Sequence, residues 1–284
     1  MVYNNQQMES NDFTSVIPTA ITVSYPRIFT DIPYATEIWT YLKKKTLVKP
    51  YIPNDVLSVE LEARYKLIDK LLEDTGIHQV LELASGYSQR GLIFAKEYSY
   101  KYIELDLNKV VNLKKEIINN ISAMPDSLKI VSGDATSKDD FDKCKEFFTS
   151  KEKVVVINEG LLRYLDFDEK KQVAQNVYML LKEFSGKWIT SDFTPKKFIQ
   201  NQDVNIPNLN KNLSQTTDRN NASWRFGDEK HVRNFLNDIG FNNIEFHPFS
   251  EVQEQLSSPK NLNIAQDTTN KLLDGASVAV ISID

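Results

Sequence analysis

Apolar residues recur along this chain in two rhythms, and the change from one to the other divides it. Between Asp55 and Asp74, Leu57, Leu61, Tyr65, Ile68 and Leu72 fall every three or four positions, which sets them on one face of a helix. Upstream, IFTDIPYATEIWTYLKKK predicts another helix, capped near Thr30 or Asp31 with Pro33 in its first turn. From residue 79 short apolar runs alternate with amphipathic ones. Strands are predicted over 79–84, 101–106, 128–132, 153–158 and 187–191, with helices over 88–98, 108–121, 138–149 and 168–183 between and after them. Repeated strand–helix units joined by short linkers require parallel strands with helices on both faces, which is a doubly wound α/β sheet. The end of the chain leaves this rhythm. A helix over 228–239 closed by Gly240 and strands over 242–247 and 277–283 suit an antiparallel hairpin added at one sheet edge. The polar segments at residues 1–10 and 200–223 lack periodicity and read as mobile, the second as a lid or loop.

A chain of 284 residues can bury one large core, and a single domain is expected: a helical arm or lid over 1–75, a ligand-binding core over 76–195, and a variable region with the last strands over 196–284. Hydrophobic residues make up 41% and charged residues 26%, as in soluble globular proteins. With a net charge of −5 and no basic stripe carrying aromatics, nucleic acid is not an expected partner. Cys144 is the only cysteine, so no internal disulfide can form, and it has no neighbouring histidine to activate it. His78, His231 and His247 have no metal-ligand spacing, and no metal is expected. No run reaches eighteen apolar residues and the first residues lack a leader's pattern, so a cytoplasmic protein with no membrane partner is the expectation.

The stretch Val80–Gly91, VLELASGYSQRG, runs from a strand into a glycine turn that opens a helix. Gly86 lets backbone approach a ligand, Ser88 is a candidate N-cap, and Gly91 allows close helix–sheet packing. The segment holds two glycines and no GxGxxG, which argues against the pyrophosphate of NAD. Glu82 would repel phosphate but could hold, directly or through water, a ligand ammonium. S-adenosylmethionine (SAM), with S-adenosylhomocysteine (SAH) as its product, is such a ligand. Asp106 ends the second strand twenty positions after Gly86, where a carboxylate can accept from both ribose hydroxyls, or else cap the next helix. Glu104, two residues earlier, is farther from the strand end. Asp134, with Ala135 beside it in SGDAT, suits the adenine end, although Gly-Asp is also an ordinary turn. Glu159 follows VVVIN and needs a cationic partner if buried. Arg64 could reach a ligand carboxylate or pair with Glu60 one turn away. Tyr164 and Arg163 are the leading acceptor-orienting candidates, followed by Tyr25 and Arg27. Trp224, Arg225 and His231 either close over a substrate, or WRF is a strand packing on the core and His231 a helix residue exposed to water. No catalytic residue is assigned.

Read together, TDIPYA (30–35), LEARYKLID (61–69), ELASGYSQRG (82–91), IELDL (103–107), GDAT (133–136) and NEGLLRYL (158–165) resemble the leucine carboxyl methyltransferase and tetracenomycin-type polyketide O-methyltransferase family. The resemblance implies a Rossmann-like class I methyltransferase with a seven-stranded sheet. It also implies Arg64 on the SAM carboxylate, Gly86 beneath the methionine part, Asp106 on the ribose, Asp134 on the adenine side and Glu159 on the ammonium. The implied reaction is O-methylation of a carboxylate or hydroxyl on a small, polyketide-like acceptor. Two alternatives are a carboxyl methyltransferase acting on a peptide or protein C-terminus and a catalytically silent SAM-binding module. After about residue 195 the likeness fades, and the acceptor and oligomeric state stay open.

Overall fold

The computed structural model describes residues 17–46, 55–193 and 222–283. The polar segment at residues 1–10 lies outside them, as does 200–223 except its last two residues, which open a 3-10 turn, Ala222–Trp224. Seven strands, β1 (Gln79–Leu83), β2 (Lys101–Asp106), β3 (Leu128–Ser132), β4 (Val154–Asn158), β5 (Gly186–Thr190), β6 (Asn243–Pro248) and β7 (Ser277–Ser282), form one sheet in the order β3-β2-β1-β4-β5-β7-β6. The first five pair in parallel, with Leu81 facing Ile103 on one side and Val156 on the other. β7 runs antiparallel to both β5 and β6.

Helices cover both faces because the strands are apolar on both. Val80, Tyr102, Val155 and Ile157 pack against α3 (Asp55–Asp74), α4 (Arg90–Glu97) and α5 (Asn108–Ile121). Leu81, Ile103, Val154 and Val156 pack against α6 (Lys138–Lys145), α7 (Phe167–Phe184) and α8 (Glu229–Ile239). A third cluster joins α1 (Ile17–Thr22) and α2 (Ala35–Thr46) to α5: Ile21, Ile38, Trp39 and Leu42 pack with Tyr87, Val110 and Ile117. This cluster lays the N-terminal arm across the carboxyl ends of β1 and β2.

Several details depart from the sequence reading. The arm helix begins at Ala35, leaving Pro33 ahead of it, and Pro26–Phe29 forms a separate 3-10 turn. Gln89 occupies the N-cap of α4, while Ser88 Oγ accepts the Arg90 N–H at 3.2 Å. The late strands extend the β5 edge as the expected antiparallel pair, but with a long connection between them. β7 inserts between β5 and β6, and the connection carries a 3-10 stretch, Phe249–Gln255, a helical turn, Ser258–Asn261, and α9 (Gln266–Leu273). That connection escapes periodicity because QDTTNKLL buries only Thr269, Leu272 and Leu273.

Candidate active site

The carboxyl ends of β1 to β4 open into a cleft of about 1090 Å³, mouth included. Its floor starts after β1, where Ala84 (φ 50) and Gly86 (φ 54) turn the chain sharply. The Gly86 N–H donates to Asp106 Oδ2 at 2.6 Å, and the Leu107 N–H donates to Oδ1 at 2.7 Å. Two backbone donors thus fix the Asp106 carboxylate at the mouth of β2. Burial raises its pKa while those bonds oppose the rise. After β3, Asp134 Oδ1 accepts both the N–H and hydroxyl of Thr136 at 2.8 Å, a local turn that holds Asp134 and Ala135 against the cleft.

After β4 stands Glu159, its side chain 6% exposed, inside a ring of guanidinium groups. Arg27 Nη2 lies at 3.0 Å and Arg64 Nη2 at 3.1 Å from Oε1, and Arg90 Nη2 at 3.0 Å from Oε2. Burial would raise the Glu159 pKa, but the charges of Arg64, Arg27 and Arg90 outweigh it and hold the carboxyl far below the usual range. Arg27, Arg64, Arg163 and Tyr164 line the cleft together with Gly86, Asp106, Asp134, Ala135 and Glu159. Residues distant in sequence therefore meet in one place because every parallel strand ends on the same side.

Two expected site residues stand elsewhere. Glu82 does not line the cleft. It points under the sheet end, where Arg90 Nη1 lies 2.7 Å from Oε1 and the Tyr102 hydroxyl donates to Oε2 at 2.8 Å. The reason is local: Glu82 sits on the α3–α4 face of β1, opposite the turn, and its charge is answered by Arg90. Tyr25 packs at 5.0 Å from Trp39 and 5.5 Å from Phe29, anchoring the arm outside the cleft. Glu104 also stays buried, with Lys114 Nζ at 2.6 Å. His231 stacks on Phe167 at 5.3 Å beside the buried Phe226, and Trp224, Arg225 and His231 are not among the residues that line the cleft.

Sequence reasoning passed over Arg90, whose signal is a lone arginine in the first turn after an acid-bearing strand. It also passed over Thr19 and Ala20 of α1 and Val23 just after it, which roof the cleft. Arg27 Nε and Arg163 Nε are buried without a hydrogen-bond acceptor, so this end of the cleft presents spare donors. Among the described residues that line it there is no histidine, lysine or cysteine.

Residues 49–178 match the model of the family described as leucine carboxyl methyltransferase. No curated protein matches the chain in sequence. The structure is similar to magnesium protoporphyrin IX methyltransferase from Synechocystis PCC 6803, solved with bound SAH, at 12% identity and TM-score 0.50 over 89% of this chain and 96% of that one. It is similar to human N-acetylserotonin methyltransferase, solved with SAM, at 11% identity and TM-score 0.50 over 94% of this chain and 65% of that one. A third likeness is to the methyltransferase domain of bacterial CtHen1-CN, at 12% identity and TM-score 0.52 over 78% of this chain and 98% of that one. Identities this low carry the fold, that of class I methyltransferases, and not the substrate; the family match, which spans under half of the chain, supports SAM-dependent methyl transfer.

Proposed function

We propose that the cleft holds SAM across the ends of β1 to β4 and that the chain transfers the methyl group to a carboxylate oxygen of a small-molecule acceptor. The residues present fit the cofactor. Asp106 offers a braced acceptor for ribose hydroxyls, and Gly86 lets backbone approach the methionine chain. Asp134 and Ala135 border the adenine end. Arg27 and Arg64 outnumber Glu159 by one positive charge, which suits an α-carboxylate beside an ammonium. When bound, SAM supplies an electrophilic methyl on its sulfonium sulfur.

The observation that carries the choice of acceptor is the set of lining residues: buried guanidinium donors at Arg27 and Arg163 and, among the described residues that line the cleft, no histidine, lysine or cysteine to act as a base. Tyr87 lines the cleft, but burial, aided by the charge of Asp106, pushes its phenol pKa upward, so it stays protonated. Glu159 is ionised but engaged by three arginines. A hydroxyl acceptor would need a proton removed, whereas a carboxylate is already ionised at pH 7. The work left to Arg163, Tyr164 and Arg27 is then to orient that oxygen in line with the methyl–sulfur bond under the roof of α1. The family description, leucine carboxyl methyltransferase, supports the same chemistry.

Calorimetry with SAM, SAH and NAD, followed by transfer of labelled methyl to panels of carboxylic acids and phenols, tests this reading. SAM and SAH should bind, and the label should appear as base-labile methyl ester. Base-stable ether would move the acceptor to a hydroxyl. Binding without turnover on either panel would support a silent module. NAD binding with no response to SAM would end the methyltransferase assignment. Arg64→Ala should weaken SAH binding by about ten- to a hundredfold, on the order of 1.4–2.8 kcal/mol.

A further inference from the structure

The segment between β4 and α7 supplies the acceptor end of the cleft through Glu159, Gly160, Leu161, Arg163, Tyr164 and Leu165. It is short and irregular: Gly160 takes φ 80, and Leu162–Tyr164 makes a single 3-10 turn. The N–H groups of residues 160–162 lead into and open that turn and need an acceptor from outside the segment. Asp192, two residues past β5, provides it. Its Oδ1 accepts the Gly160 N–H at 2.7 Å, and its Oδ2 accepts the Leu161 N–H at 2.7 Å, the Leu162 N–H at 2.8 Å and Asn158 Nδ2 at 2.7 Å.

The carboxylate is itself pinned. The Asp192 N–H donates to Thr190 Oγ1 at 3.1 Å, Asn158 Nδ2 donates to the same hydroxyl at 2.9 Å, and Trp188 Nε1 donates to Asn158 Oδ1 at 2.7 Å. Trp188, Asn158 and Thr190 are fully buried. Asp192 does not line the cleft. Four donors on one ion are charge-assisted bonds and about twice as strong as neutral ones, so the segment has little freedom while the charge is present.

We propose that Asp192 is a positioning residue: it fixes the loop on which Glu159, Arg163 and Tyr164 stand, and so sets the geometry of the amino-acid and acceptor end of the cleft without touching substrate. The placement of ligands in that end rests on the function proposed above. Asp192→Asn is the direct test, because an amide turns an N–H toward donors that the carboxylate accepted. Hydrogen exchange of the ligand-free protein should show faster exchange at residues 160–162, by about a hundredfold, with β1 and β2 unchanged. Affinity for SAH should fall about tenfold, while affinity for 5′-methylthioadenosine, which lacks the amino-acid part, should stay within about twofold.

With turnover, kcat should fall and KM for the acceptor should rise more than KM for SAM. If Asp192→Asn does not fold, Thr190→Val leaves the carboxylate but loosens its brace, and should give the same pattern at about threefold. Unchanged exchange at residues 160–162, or equal losses for both nucleosides, would overturn the proposal. If the wild type bound neither nucleoside while exchange still rose only in this loop, the cofactor reading would fall and the positioning role would stand.

Discussion

Buried charge decides most at the residue scale. Glu82 and Glu104 face each other on β1 and β2, both buried; Glu82 meets Arg90, which it shares with Glu159 and Asp69, and Glu104 meets Lys114. The Glu104 pKa is raised to about 7, by burial first, with Lys114 pulling it down and Glu82 adding to the rise. A carboxyl whose folded value lies above its unfolded 4.5 binds more protons in the native state, so its stabilising share is present below 4.5 and lost as pH rises through 7. Glu159 has the opposite sign, and its share is lost only below the ordinary carboxylate range. Glu104→Gln should therefore flatten the fall in stability between about pH 4.5 and 7 in urea titrations and leave the acid limb in place. Gly91 belongs to the same neighbourhood. A Cβ there would run into Glu104 Oε1 and meet Tyr102 at 3.0 Å, so Gly91→Ala should cost about 1–3 kcal/mol in denaturant unfolding.

Among elements, the strands and the helices between them follow from the sequence because each buries a regular apolar face; α7 and β2 differ from expectation by a residue at most. Ends and connectors are harder to read because side-chain hydrogen bonds settle them. The α7 start is one such case: Asp166 Oδ1 accepts the Glu169 N–H at 2.9 Å, and Glu169 Oε2 accepts the Asp166 N–H at 2.9 Å. This capping box sits immediately after the loop that Asp192 fixes. Asp166→Ala should cost about 1 kcal/mol and shift Tm by a few degrees, measured by calorimetry. α6 ends four residues before the expected point, while its Cys144 is fully buried, and burial pushes the thiol pKa up to about 12. That cysteine is core packing. Burial and the charge of Asp140 outweigh the pull of Lys143, so the thiol stays protonated and is no nucleophile.

Across the whole molecule, the cleft was legible because the topology of a parallel sheet gathers strand ends. Asp106, Asp134 and Glu159 could each be picked out by asking what an acid was doing after an apolar strand. The same question misplaced Glu82, because sequence does not say whether a strand-end carboxylate faces the ligand or a buried arginine such as Arg90. It also went unasked of Asp192, which follows β5 in the same way. The arm was recognised as helical, but not that Thr19, Ala20 and Val23 roof the cleft, since that contact depends on how Ile21 and Trp39 dock on α5.

The insertion of β7 between β5 and β6 has a consequence for assembly during synthesis. Five strands can zip together in the order they leave the ribosome, but β5 and β6 share no neighbour until β7 emerges, roughly ninety residues after β5 (Gly186–Thr190 to Ser277–Ser282). Contacts of that sequence separation form slowly. Pulse-labelled hydrogen exchange during refolding should show the amides of β1, β2 and β4 protected first and those joining β5, β7 and β6 last. Until then β5 carries an open edge beside the finished ends of β1 to β4, so nascent chains stalled before β7 should be the species most prone to pair with one another.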